Sequence, residues 1–131
     1  MDYVRRSHNK CLLMAHIILV CKYRKPLLVL LGDDVGKMIF DIAATHQWVV
    51  LEMEADKDHI HILLQYHPTE SVANIVRVIK QMTTHQLWLS HSRYLQKQFW
   101  RERTFWSDGY FASSIGQVSS ETIRKYIQNQ G

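Results

Sequence analysis

Cysteine is scarce in this chain and badly placed for its usual roles. There are two, Cys11 and Cys21. In one extended segment they would lie on the same face about 33 Å apart, too far to bridge. No Cys-x-x-Cys pair occurs, which removes zinc-ribbon and thioredoxin-type readings. Long apolar runs are missing too. The densest early run, Cys11 to Cys21, contains His16 and is too short to span a bilayer. It also lacks the small-residue cleavage site of a signal peptide, so a cytoplasmic protein is expected, with no membrane partner. Internal repeats and low-complexity segments are absent. Charge is not strongly one-sided: the net value is +4 with histidine neutral. That surplus leans toward an anionic partner, nucleic acid first, without requiring one.

What is present suits a single globular domain over residues 1–131. Hydrophobic residues make up 47% and charged residues 21%, enough apolar surface to fold without a disulfide or structural zinc. Residues 1–10 are polar and basic and read as a loose arm. Leu12 to Lys22 reads as a strand, with Ile17, Ile18, Leu19 and Val20 buried on both faces. Lys22-Tyr23-Arg24-Lys25-Pro26 ends it, either as a solvated exit or as a phosphate contact. Gly32-Asp33-Asp34 reads as a helix start. Val35, Met38, Ile39, Ile42 and Ala43 follow at helical spacing, and His46 and Gln47 close the helix.

Trp48 to Glu54 and His59 to Tyr66 read as an antiparallel hairpin around a charged turn at 56–58. Ser71 or Thr69 caps the next helix, whose apolar stripe is Val72, Ile75, Val76, Ile79 and Leu87. Arg77, Lys80 and Gln81 face away from that stripe. Residues 90–109 are the least regular part. Cations (Arg93, Lys97, Arg101, Arg103) are interleaved there with aromatics (Tyr94, Phe99, Trp100, Phe105, Trp106). Such a segment suits single-stranded nucleic acid, or a loop held over the core by its rings. Gly109 to Gly116 reads as a fourth strand. A last helix, capped by Ser119 or Ser120 with Glu121 in its first turn, pairs Ile123 with Ile127 and Tyr126 with Gln130. The order β-α-β-β-α-β plus a terminal helix is α+β and ferredoxin-like.

The chemistry centres on His59-Ile60-His61. Alternation along the strand puts His59, His61, Leu63 and Gln65 on one face, and Ile60, Ile62, Leu64 and Tyr66 on the core face. The two imidazoles are then close enough to share one ion, although His-x-His on a strand is more often structural. With an oxygen ligand added, Mg²⁺ or Mn²⁺ fits the pair. Gln130, Asp56, Asp58 and Glu54 are all eligible donors, and spacing does not choose among them. Tyr126 stands one helical turn before Gln130. A phenol, with its ordinary pKa near 10, becomes a competent nucleophile toward phosphorus only beside a cation or a base.

The stretches His16 to Arg24, Asp58 to Leu63, Ile79-Lys80, Phe105 to Gly116 and Ile123 to Gln130, in that order, carry a resemblance over almost the whole chain. The sequence resembles the single-tyrosine transposases of the HUH (His–hydrophobe–His) superfamily. The resemblance implies that His59, His61 and Gln130 hold the metal and that Tyr126 is the nucleophile. It implies cleavage and rejoining of single-stranded DNA at insertion-sequence ends through a 5′-phosphotyrosine, with DNA hairpins as recognition elements and no nucleotide cofactor. It also implies an obligate homodimer whose sheets join and whose active site is shared in trans.

Lys22, Tyr23, Arg24, Lys80, Arg93, Arg101 and Arg103 become candidate DNA contacts, and the protein is expected with the nucleoid when DNA-bound. Three points depart from the pattern. The sequence stops at Gly131, directly after Gln130, which would leave the last helix less firmly held or free to swap; Cys21 is unusual at its position; and no general base for Tyr126 is evident. The rival expectations are a non-catalytic ferredoxin-like binding module and a domesticated relative that processes host repeats. The Lys/Arg-Gly-Phe/Tyr signature of RNA-recognition domains is absent.

Overall fold

Runs rich in β-branched and aliphatic residues pair into one antiparallel sheet, and two amphipathic helices bury their stripes against it. The computed structural model describes residues 12–114 and 127–129. In chain order the elements are β1 (Leu13–Val20), a 3₁₀ turn (Lys22–Arg24), α1 (Leu28–His46), β2 (Val49–Ala55), β3 (His59–Tyr66), α2 (Val72–Ser90), α3 (Ser92–Gln98) and β4 (Phe111–Ser114). Residues 127–129 are helical. The expected arm at 1–10, Cys11, the end of the fourth strand at Ile115 and Gly116, the caps Ser119 and Ser120, Glu121, Ile123, Tyr126 and Gln130 lie outside the described residues. Among the described residues, no helix is long and apolar enough to cross a membrane.

The strand order is β2-β3-β1-β4, with every neighbouring pair antiparallel. This is the ferredoxin-like arrangement expected from the element order, and it puts β1 and β3 at the centre. One face of the sheet carries Ile17, Leu19 and Cys21 of the first strand segment with Ile60, Ile62 and Leu64 of β3. All six belong to the main core, together with Leu31, Val35, Ile39 and Ile42 of α1 and Ile75, Val76, Ile79 and Leu87 of α2. Full burial of each such aliphatic side chain contributes roughly 1.5–3 kcal/mol, so this face carries most of the driving force. Ile17, Ile18, Leu19 and Val20 are all buried, as a central strand requires.

The start of α1 and the bounds of β2 differ from the sequence expectation. α1 begins at Leu28, not at Gly32, because Leu27, Leu28 and Leu31 are buried and extend the apolar stripe backward to just after Pro26. The penalty of a glycine inside a helix, about 1 kcal/mol, is smaller than the gain from burying those side chains. Gln47 ends α1 in a left-handed conformation, as a helix terminus favours. β2 runs one residue later than expected and has a register shift between Val50 and Glu52. Trp48 is left outside the strand, stacked on His46 with its N–H directed at Glu70.

Residues 92–98, expected as irregular, form α3. Leu95 and Phe99 are buried against the core and make the turn worth forming. Ser71 caps α2 by accepting from the Asn74 N–H at 3.1 Å, one of the two capping options.

Cys21 lies immediately after β1 and is fully buried. Burial, reinforced by the negative charge of Asp58, pushes its thiol pKa up to about 12. The reactive thiolate is then about 10⁻⁴ of the population at pH 8. Iodoacetamide should therefore leave Cys21 unmodified in the native protein and label it fully in denaturant, as read by peptide mass spectrometry. Rapid native labelling at Cys21 would contradict this burial.

Candidate active site

The face of the sheet opposite the main core carries the histidines. Val20 pairs with His59, Ile18 with His61 and His16 with Leu63, so these six residues share that face. Ile18 and Val20 are buried although they are not part of the main core. A cleft of about 280 Å³ opens on this face, lined by Ile18, Glu54, Ala55, Asp56, His59, His61 and Ile127. Ile127 is the residue after Tyr126 in the chain. Ile127 therefore lies at the cleft that holds the histidine pair.

Each histidine has its own partner. His59 Nδ1 lies 2.9 Å from Asp58 Oδ1. A carboxylate there accepts a hydrogen bond from Nδ1–H, which keeps the proton on Nδ1 and leaves Nε2 with its lone pair for a ligand. Asp58 also accepts from Arg24 Nε at 3.1 Å through Oδ2. Burial alone would raise the Asp58 carboxyl pKa, but the hydrogen bonds from His59 and Arg24 outweigh it and hold the group below its ordinary value. His61 Nε2 lies 2.7 Å from His16 Nδ1, with the rings stacked at 4.9 Å between centroids. Burial first, and the neighbouring His16 second, hold His61 below the ordinary histidine pKa. It is thus neutral near pH 7, the form that ligates metal.

A carboxylate-oriented imidazole beside a neutral one is the donor chemistry of a divalent cation site, in which His61 Nε2 would exchange its contact with His16 for the ion. The described residues supply only its nitrogen half, since no group of three or more His, Cys, Asp or Glu stands close enough among them to hold an ion. Glu54 and Asp56 line the same cleft as oxygen-bearing neighbours. Gln130 and Tyr126, the remaining expected site residues, lie outside the described residues. His16 was read from sequence only as an interruption of an apolar run. Its signal was parity: it shares the even-numbered face of β1 with Ile18 and Val20, which antiparallel pairing lays beside His59 and His61.

The candidate DNA contacts fall into separate groups. Lys22, Tyr23 and Arg24 form the 3₁₀ turn next to His59. Tyr23 is exposed and donates to Glu102 Oε1 at 3.0 Å, which raises its phenol pKa. Lys80 does not face away from the protein. Its Nζ donates to the carbonyls of Ser107 at 2.7 Å and Gly109 at 2.6 Å. Burial lowers its pKa, because the loop leading to β4 folds onto that side of α2.

Lys80 and Arg103 line a second cleft of about 420 Å³ with Gln81, Thr84, His85, Trp88 and Trp106. Arg103 stacks over Trp88 with 5.1 Å from Cζ to the ring centroid. Arg93 and Arg101 are exposed elsewhere, Arg101 over the Trp100 ring at 5.2 Å. Of the interleaved aromatics, Phe99, Phe105 and Trp106 are buried and hold the segment to the core, while Trp100 is 80% exposed. Lys80→Met should cost about 1.5–3 kcal/mol in urea denaturation, since two carbonyls lose a charged donor. Unchanged stability would show that these two bonds contribute little to the fold.

Comparison with known proteins bears on the family and the fold. Residues 9–130 match the family model described as "Transposase IS200 like". The chain is similar to the ISDra2 transposase TnpA of Deinococcus radiodurans, 28% identical over 88% of this chain and 81% of that protein. It is also similar to the transposase for insertion sequence element IS200 of Salmonella typhimurium, 28% identical over 95% of this chain and 80% of that one. In fold it resembles a candidate transposase from Deinococcus radiodurans R1, with a TM-score of 0.82 at 24% identity and 91% of each chain covered. A REP-associated tyrosine transposase bound to a REP hairpin shares the fold at a TM-score of 0.59 and 12% identity, over 90% of this chain and 64% of that one.

Proposed function

Because the chain belongs to the IS200-like transposase family, we propose that it cleaves and rejoins single-stranded DNA at the ends of an insertion sequence. One observation carries the reading: Asp58-oriented His59 and neutral His61 share a cleft whose wall includes Ile127, the residue after Tyr126. The Tyr126 oxygen attacks the scissile phosphorus in line. A phosphorus–oxygen bond to tyrosine forms as the phenol gives its proton to solvent, the bond to the 3′ oxygen breaks, and that oxygen leaves as a 3′-OH after taking up a proton from solvent. Rejoining is the reverse: a 3′-OH attacks the 5′-phosphotyrosine and releases the phenol. The bond energy is kept in the covalent link, so no nucleotide cofactor is required.

A divalent cation, Mg²⁺ or Mn²⁺, held by His59, His61 and Gln130 would stabilise charge on the non-bridging oxygens. Asp58 keeps His59 in the ligating tautomer, and burial keeps His61 neutral. Lys22, Tyr23, Arg93, Arg101 and Arg103 are the proposed contacts to DNA phosphates and bases, with Arg24 and Lys80 nearer the protein's own groups. A DNA hairpin is the proposed recognition element, and a homodimer sharing its active sites in trans the proposed active form.

The test is incubation with a single-stranded hairpin oligonucleotide carrying a candidate element end. A protein–DNA adduct should appear on a denaturing gel in Mg²⁺ or Mn²⁺ and disappear in EDTA. An undiminished adduct in EDTA would remove the cation from the scheme. Tight hairpin binding with no adduct under any condition would favour a non-catalytic binding module.

A further inference from the structure

We infer that Arg24 and Asp58 form a positioning pair that fixes the His59 imidazole and ties residues 127–129, the segment after Tyr126, to the histidine pair. The inference rests on the proposed role of Tyr126, although its main readouts do not.

The backbone supplies the first argument. Tyr23 and Arg24 are consecutive non-glycine residues with left-handed φ values of 60° and 53°. That conformation is unfavourable for a residue with a Cβ, and it persists only where its surroundings over-determine it. Here they do. The Cys21 N–H donates to the Asp58 carbonyl at 2.8 Å, the Lys22 N–H to the Phe105 carbonyl at 2.8 Å and the Arg24 N–H to the Cys21 carbonyl at 2.9 Å. The turn is thus stapled to the backbone of Asp58 itself, and the Arg24 side chain points back over the end of β3.

The guanidinium supplies the second argument. Its Nε donates to Asp58 Oδ2 at 3.1 Å, while Asp58 Oδ1 engages His59 Nδ1 at 2.9 Å. Its Nη1 donates to the carbonyl of Gln128 at 3.4 Å. A planar group with five fixed donors can hold a carboxylate and a carbonyl at once, which one ammonium on a flexible stem does less well. The carbonyl belongs to the helical segment 127–129. Arg24 is therefore engaged with the protein on two sides, which separates it from Lys22 and Tyr23 on the same turn. A change in how the terminal segment sits is felt at the carboxylate that orients His59.

The experiment uses the full chain with Arg24→Gln, Arg24→Lys and Asp58→Asn, each checked for fold by circular dichroism. Arg24→Gln should raise amide exchange of the peptide holding residues 127–129 by about tenfold. It should slow adduct formation at saturating DNA by about 10- to 100-fold while hairpin affinity stays within about twofold. Asp58→Asn should weaken Mn²⁺ binding, followed by electron paramagnetic resonance, by about 10- to 100-fold. Arg24→Lys keeps a cation beside Asp58, so Mn²⁺ affinity should stay near wild type while exchange at 127–129 still rises.

Unchanged exchange together with a loss of hairpin affinity in Arg24→Gln would overturn the inference and make Arg24 a phosphate contact. Unchanged Mn²⁺ affinity in Asp58→Asn would overturn the orienting role of Asp58. If the wild-type protein forms no adduct with any hairpin, the cleavage reading fails, and the exchange and Mn²⁺ measurements still decide the positioning pair.

Discussion

Tyr126→Phe is expected to abolish the covalent protein–DNA adduct, a loss of about 10⁴-fold or more, with hairpin binding unchanged. The substitution removes one oxygen and keeps the ring, so any packing by the side chain survives. Binding by the proposed phosphate and base contacts does not need that oxygen. Nucleophilic attack does under the proposed mechanism, where the phenol oxygen is the atom that forms the phosphoester. The measurement is a denaturing gel with labelled oligonucleotide, paired with a gel-shift titration. Persistence of the adduct would transfer the role to another hydroxyl. Joint loss of adduct and binding would show that the phenol contributes to DNA capture before any chemistry.

The second large effect concerns the scaffold behind the site. Trp106→Ala should destabilise the protein by about 3–5 kcal/mol, lowering the melting temperature by about 10–20 °C. Trp106 is 4% exposed and packs edge-on against Phe105 at 4.7 Å between ring centroids. Its Nε1 donates to Thr83 Oγ1 at 2.9 Å, and Thr83 in turn donates to the Ile79 carbonyl at 2.7 Å. Its backbone bridges Cys21, and the next residue, Ser107, donates to the Val20 carbonyl at 2.8 Å. Val20 is the partner of His59. The Trp106 side chain thus fastens the loop before β4 to α2, while the backbone at 106–107 fastens it to the end of β1 beside His59. Trp106→Phe keeps most of the apolar volume and removes the hydrogen bond, and should cost about 1 kcal/mol. Equal losses in the two variants would mean that the hydrogen bond, not the packing, dominates.

Local pattern was enough where one interaction type controls the outcome. The alternation of His59-Ile60-His61-Ile62-Leu63-Leu64 assigned faces correctly, since Ile60, Ile62 and Leu64 are buried in the main core and the histidines are not. Ser71 as a helix cap and Gln47 as a helix end were legible for the same reason: each is decided within a turn of backbone. The start of α1 was not, because glycine and acidic residues mimic a helix entrance while burial of Leu28 and Leu31 is decided by the sheet. Nor was α3, whose formation depends on core contacts of Leu95 and Phe99. Lys80 looked outward on a helical wheel, and only the loop carrying Ser107 and Gly109 turned it into a structural donor.

By itself, then, the amino-acid sequence determined the order of the four strands and the two long helices, the core face of β3 and the placing of His59 with His61 on the other face, because periodicity and burial act over a few residues. The tertiary structure decided which groups surround that pair. His16 reaches His61 across 45 positions, Arg24 reaches Asp58 across 34, and Arg24 reaches the Gln128 carbonyl across 104. Such contacts depend on strand register and on a strained turn held by distant hydrogen bonds, and no local spacing encodes them.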